Sequence, residues 1–123
     1  MIYSDLTRRY FDEAPNAGVL SGAGVFRGSA GNHQQGTWVQ FDLQIASRSL
    51  AAARFLAFGC PHTIAIAAFV AEQAVGRQVM ARLPESPQAL LERFAVPLEK
   101  LGRILIIEDA WVAAATAAIE YAA

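Results

Sequence analysis

The sequence is short of cysteine, of excess charge of either sign, and of long apolar runs, and each shortage removes a class of protein. Cys60 is the sole cysteine among 123 residues, so no disulfide framework forms within the chain. A reducing, cytoplasmic setting is the expectation that follows. Ten basic residues against eleven acidic ones leave a formal charge of −1. That balance excludes the basic footprint with which general nucleic-acid binders hold phosphates. The longest fully apolar run, Ile64 to Ala71, falls far short of the roughly 20 residues that span a bilayer. The stretch to Phe11 interleaves Ser4, Asp5, Arg8 and Arg9 with apolar residues and has no signal-peptide core. Neither nucleic acid nor membrane is an expected partner.

What is abundant is apolar side chain, 54% of residues, with a mean hydropathy of +0.30. The length suits one domain over 1–123 with a filled core, and the apolar surplus leaves room for a homo-oligomer face. Leu6, Tyr10 and Phe11 recur at helical spacing between Ser4 and Glu13, with Arg8, Arg9 and Asp12 on the other side. Pro15, Asn16 and Gly18 end that helix. Six of the nine glycines fall between Gly18 and Gly36, which predicts a loop-rich region holding a short strand over Val19 to Phe26. Trp38 to Ile45 reads as the clearest strand, because Val39, Phe41, Leu43 and Ile45 alternate strictly with Gln40, Asp42 and Gln44, the period of a strand with one wet face. Ser47 to Ser49 reads as a turn and Ala53 to Phe58 as a third strand.

After Gly59 the pattern turns helical. Cys60 and Pro61 read as N-cap and first-turn proline, opening a buried helix over Ile64 to Gln78. Ser86 and Pro87 repeat that signal and open a helix carrying Leu90, Leu91 and Phe94. Pro97 interrupts, and Leu105 to Tyr121 reads as a long alanine-rich helix. Sheet first and helices afterwards predicts an α+β fold, a small three-stranded antiparallel sheet packed against several helices.

Cys60 is the residue with the most chemistry. Backbone N–H groups at a helix N-terminus favour a thiolate, the form that attacks electrophiles and ligates metals. The same position equally suits a small residue filling a strand–helix corner. His62 lies two residues on, and His33 is the other good ligand, so Cys60, His62 and His33 form a candidate metal set, with zinc as one occupant. Enzyme signatures are missing: there is no Gly-x-Ser-x-Gly elbow, no dinucleotide fingerprint and no phosphate loop with its lysine. Glu108 and Asp109 are adjacent on a helix and diverge, which makes them a poor carboxylate pair. The expectation is a protein that is not an enzyme.

The run Phe55-Leu56-Ala57-Phe58-Gly59-Cys60-Pro61-His62-Thr63-Ile64-Ala65 resembles the iron–sulfur cluster assembly scaffolds, the IscU/NifU N-terminal family. There an aromatic-Gly-Cys strand end runs into a helix with Ile-Ala at this offset. The likeness continues in order through Tyr10 to Gly18, Gly36 with the strand after it, and Gly76-Arg77. It ends with Val96-Pro97-Leu98-Glu99-Lys100 and Glu108-Asp109-Ala110. The resemblance implies the family's α+β fold and a role in cluster assembly. In the family three cysteines, an aspartate and a histidine serve a 2Fe–2S cluster. Here only the middle cysteine, Cys60, remains. The first cysteine and the aspartate fall on Gln35 and Thr37, and the family's His-Cys pair falls on Gly102 and Arg103. The chaperone-recognition motif likewise carries Leu98 and Glu99 in place of its second proline and valine.

Two functions follow as expectations. In one, the chain binds iron or a 2Fe–2S cluster through Cys60, with His62 and His33 as helpers and a second chain's sulfur completing the site. In the other, the chain is a cluster-free binding or regulatory module that docks on a cysteine desulfurase or other iron–sulfur assembly proteins.

Overall fold

The computed structural model describes residues 2–122. In chain order the elements are α1 (Asp5–Glu13), β1 (Val25–Asn32), β2 (Thr37–Ala46), β3 (Ser49–Phe58), α2 (Pro61–Ala74), α3 (Pro87–Arg93), a 3-10 turn at Leu98–Lys100, and α4 (Leu101–Ala122). The strands form an antiparallel meander in the order β1-β2-β3. The fold is therefore α+β, with a three-stranded antiparallel sheet and four α-helices among the described residues. Among the described residues no helix is long and apolar enough to cross a membrane.

Alternation in β2 decides which side the helices cover. Val39, Phe41 and Leu43 are fully buried against α2 and α4, while Gln40 and Gln44 stay partly wet on the opposite face. Burying an apolar row of this kind under helices is the dominant stabilising term in a small domain. Phe41 meets Trp111 of α4 edge to face at 5.3 Å between ring centres. Tyr10, Phe69 and Phe94 form a second aromatic cluster that ties α1 to α2 and to the end of α3. Asp42 is buried on the otherwise polar face, where Arg27 pairs with it at 2.7 Å and the Leu20 N–H donates to it at 2.9 Å. That carboxylate anchors the segment leading into β1.

The first strand begins later than the expected Val19. Residues 19–24 are irregular, with Gly22 and Gly24 in the left-handed region, and pairing begins at Val25. Gly28 and Gly31 lie inside the strand. A Cβ on Gly28 would sit 2.2 Å from the Ala114 backbone nitrogen, so this glycine permits close approach of strand and helix.

The third strand starts at Ser49 instead of Ala53. The register slips between Gln44 and Ile45, so that Leu50 and Ala53 both face the core. The extra residue of this bulge breaks the alternation that would have revealed the strand's first half. Ser47 and Arg48 alone form the β2–β3 loop, with φ of 52° and 70°. Two successive positive φ values are what a type I′ hairpin turn demands, and asparagine-glycine meets that demand best. Arg48→Gly is expected to raise stability by about 1 kcal/mol, read as a shift of the denaturant midpoint. A lowered midpoint would mean that the arginine side chain itself supports the turn.

Helix α2 ends at Ala74, short of the expected Gln78. Val75 turns extended and Gly76 takes φ +86°. The chain then runs beside β3, where the Leu50 N–H donates to the Arg77 carbonyl at 2.9 Å and the Gly76 N–H to the Leu50 carbonyl at 2.8 Å. Backbone groups satisfied by a strand edge cannot also continue a helix. Phe94 caps α3 instead of lying within it, and α4 starts at Leu101 because the 3-10 turn after Pro97 feeds directly into it.

Candidate functional site

The residues around Cys60 are brought together by three local rules. Strand β3 ends at Phe58, and a Cβ on Gly59 would lie 3.1 Å from the Thr63 side chain. Cys60 takes an extended N-cap conformation and Pro61 opens α2, the expected arrangement. The 3-10 turn and the start of α4 then lay Lys100 and Arg103 over this corner.

The result is a thiol held by cationic and polar neighbours. Arg103 Nη1 donates to Cys60 Sγ at 3.1 Å, and the Thr63 hydroxyl lies 3.7 Å from the same sulfur. Burial alone would push the thiol up. The backbone N–H and hydroxyl of Thr63, the Arg103 guanidinium and the N–H of His62 outweigh it, and the net direction is below the ordinary thiol value. Cys60 is a half-buried free thiol biased towards thiolate.

His62 is buried, at 3% exposure. Lys100 Nζ donates to its Nδ1 at 3.4 Å, and the Tyr3 ring meets it edge on at 4.8 Å. Burial, then Lys100, then Arg103, push its pKa below the usual histidine value, so the ring is neutral and its Nδ1 lone pair is occupied. His33 sits elsewhere, exposed in the β1–β2 turn, stacked on Trp38 at 5.3 Å and against Phe58 at 4.7 Å. Among the described residues no three His, Cys, Asp or Glu side chains gather where they could hold a metal ion. Cys60, His62 and His33 thus do not converge as one three-ligand site.

The four positions where the family resemblance expected ligands are also placed. Gln35 is exposed in the β1–β2 turn, its N–H donating to the Asn32 side chain at 2.8 Å. Thr37 is buried at the start of β2, and Gly102 faces open space at the start of α4. Arg103 alone reaches Cys60. Lys100, Thr63 and Tyr3 were not singled out as site residues from the sequence. Thr63 carried a signal, three residues after an N-cap and so on its side of the helix; Lys100 and Tyr3 carried none, since only the tertiary fold brings them to His62.

A family model described as the NifU-like N terminal domain matches residues 2–122. Among solved structures, a nitrogen-fixing NifU-like protein (N-terminal) from Brucella abortus superposes with a TM-score of 0.72 at 14% identity, over 98% of this chain and 95% of that one. A protein from Fervidobacterium islandicum AW-1, described as a proposed iron–sulfur cluster assembly scaffold for the SUF system, superposes with a TM-score of 0.52 at 19% identity. That match covers 89% of this chain and 81% of the other. No curated protein matches the sequence.

Proposed function

The chain belongs to the NifU-like N-terminal domain family, and from that premise we propose that it serves iron–sulfur cluster assembly as a docking module that keeps the scaffold fold without holding a cluster of its own. One observation carries this reading: the Arg103 guanidinium lies 3.1 Å from the Cys60 sulfur. Cluster irons are held by several thiolates. Here one sulfur is present, its charge is balanced by an arginine, and an arriving iron cation would meet that guanidinium at close range. The neighbouring His62 offers no free Nδ1 lone pair, because Lys100 occupies it. A second chain would add another sulfur and another guanidinium, so pairing two copies does not relieve the conflict. The partners that fit are a cysteine desulfurase or another assembly protein, met at the Cys60 corner.

Anaerobic incubation with ferrous iron, sulfide and a cysteine desulfurase tests the reading. The expected result is no visible charge-transfer absorption that depends on Cys60, together with equal recovery of the desulfurase on immobilised wild type and Cys60→Ser. A cluster spectrum abolished by Cys60→Ser would overturn it and restore the cluster-binding function. Zinc retained through purification and lost in that variant would instead favour a mononuclear metal site.

A further inference from the structure

The opposite end of the molecule carries a second surface with different chemistry. Strand β3 runs ten residues from the β2–β3 turn to Phe58, so the turn lies about 30 Å from the Cys60 corner. Beside the turn, Ile45, Val79, Met80 and Ile119 line a hollow of about 710 Å³ bordered by Arg48 and Arg82. None of its lining residues is acidic. Among the described residues Arg48 has no ion pair, and the polar contact of Arg82 is with the Met80 sulfur at 3.9 Å. Two uncompensated guanidiniums thus flank an apolar floor on a chain whose net charge is −1.

The floor is built in advance. The segment after α2 is bonded to Leu50 of β3 through Gly76 and Arg77. The Trp111 indole N–H donates to the Met80 carbonyl at 3.1 Å. Gln78, Met80 and Arg82 also line a second hollow of about 540 Å³, whose walls include Arg77 and Trp111 but also two carboxylates, Glu85, paired with Arg93, and Glu108. The first hollow, with no carboxylate in its lining, is the groove whose charge suits an anionic partner, and its apolar floor has room for a short segment of polypeptide. Methionine adapts to apolar side chains of a partner, and arginine forks pair with carboxylates in two-bond geometry.

We propose that this groove docks an acidic, leucine-like segment of a partner protein, its carboxylates on Arg48 and Arg82 and its apolar side chains over Val79 and Met80. The surface goes beyond the Cys60 corner and stands whether or not that corner binds metal. The probe for the test is a fluorescein-labelled peptide of alternating glutamate and leucine, followed by fluorescence anisotropy, with a lysine–leucine peptide as its opposite. The expected result is saturable binding of the acidic peptide that weakens with salt. Affinity should drop at least about tenfold in the Arg48→Gly, Arg82→Glu double variant and stay unchanged in Cys60→Ser. A thermal melt of the double variant separates lost binding from lost folding. Equal binding of both peptides, no binding of the acidic one, or an unaltered affinity in the double variant would overturn the proposal. Saturable binding of octanoate without the acidic peptide would overturn it as well, in favour of a small anionic amphiphile.

Discussion

Gly28→Ala is expected to destabilise the protein by about 3 kcal/mol or unfold it outright, measured as the shift in urea midpoint. The added methyl group would lie 2.2 Å from the Ala114 backbone nitrogen and 2.8 Å from the Ala110 carbonyl oxygen. These are backbone atoms of α4, so no rotamer change can make room. Relief requires the helix to lift from β1, and with it the packing of Ala110, Trp111 and Ala114, all buried. Tight interiors transmit such a displacement instead of absorbing it. Gly102→Ala is the matched control, because a Cβ there meets open space. It should gain a few tenths of a kcal/mol to about 1 from helix propensity. A Gly28→Ala protein with an unchanged midpoint would mean that strand and helix are not held at this separation in solution.

The second large effect concerns Cys60. Arg103→Leu is expected to slow alkylation of Cys60 by iodoacetamide about tenfold at neutral pH, the scale of one hydrogen bond to a charged group. Because Cys60 is the sole cysteine, the label reads one site. In the wild type the reactivity profile rises at a pH below that of an ordinary thiol. With Arg103 removed, burial still pushes the thiol up while Thr63 and the start of α2 remain to oppose it, so the profile moves to higher pH. The sign for stability follows from proton binding. Between the depressed folded value and the ordinary unfolded one, the unfolded chain holds more protons on sulfur. The ionised sulfur's contribution is therefore complete above the ordinary thiol range and is lost as pH falls through the depressed value. Loss of Arg103 should flatten that dependence. An unmoved alkylation profile would show that the helix terminus and Thr63 suffice, and would remove the observation on which the docking reading rests.

Much of this was legible where the signal was local. Cys60 as N-cap with Pro61 after it, Ser86 with Pro87, and the alternation through β2 each appear in the structure as the sequence implies. The misreadings share a cause: a residue type that means one thing in solution and another against a neighbour. Gly28 and Gly31 counted towards a loop, yet they lie in a strand that needs glycine because α4 and the Thr37 carbonyl leave no space for a side chain. The bulge near Leu50 hid half of β3 by breaking its period. At the site, the sequence could name Cys60 but not its partner, and only the family resemblance put Arg103 at a ligand position. That Lys100 would occupy His62, or that His33 would stack on Trp38 away from both, depends on tertiary placement that no spacing encodes.

The contact between Gly28 and Ala114 also has a temporal side. Strand β1 stands early in the chain and α4 is the last of the described elements, so their pairing spans most of the sequence. During synthesis the meander can pair its backbone as soon as β3 emerges, but the apolar side of β1 and β2 has its main cover only in α4. Contacts of such long range slow folding, since the loop they close must be ordered before any of its packing is gained. The nascent sheet therefore leaves the ribosome with Val39, Phe41 and Leu43 incompletely covered.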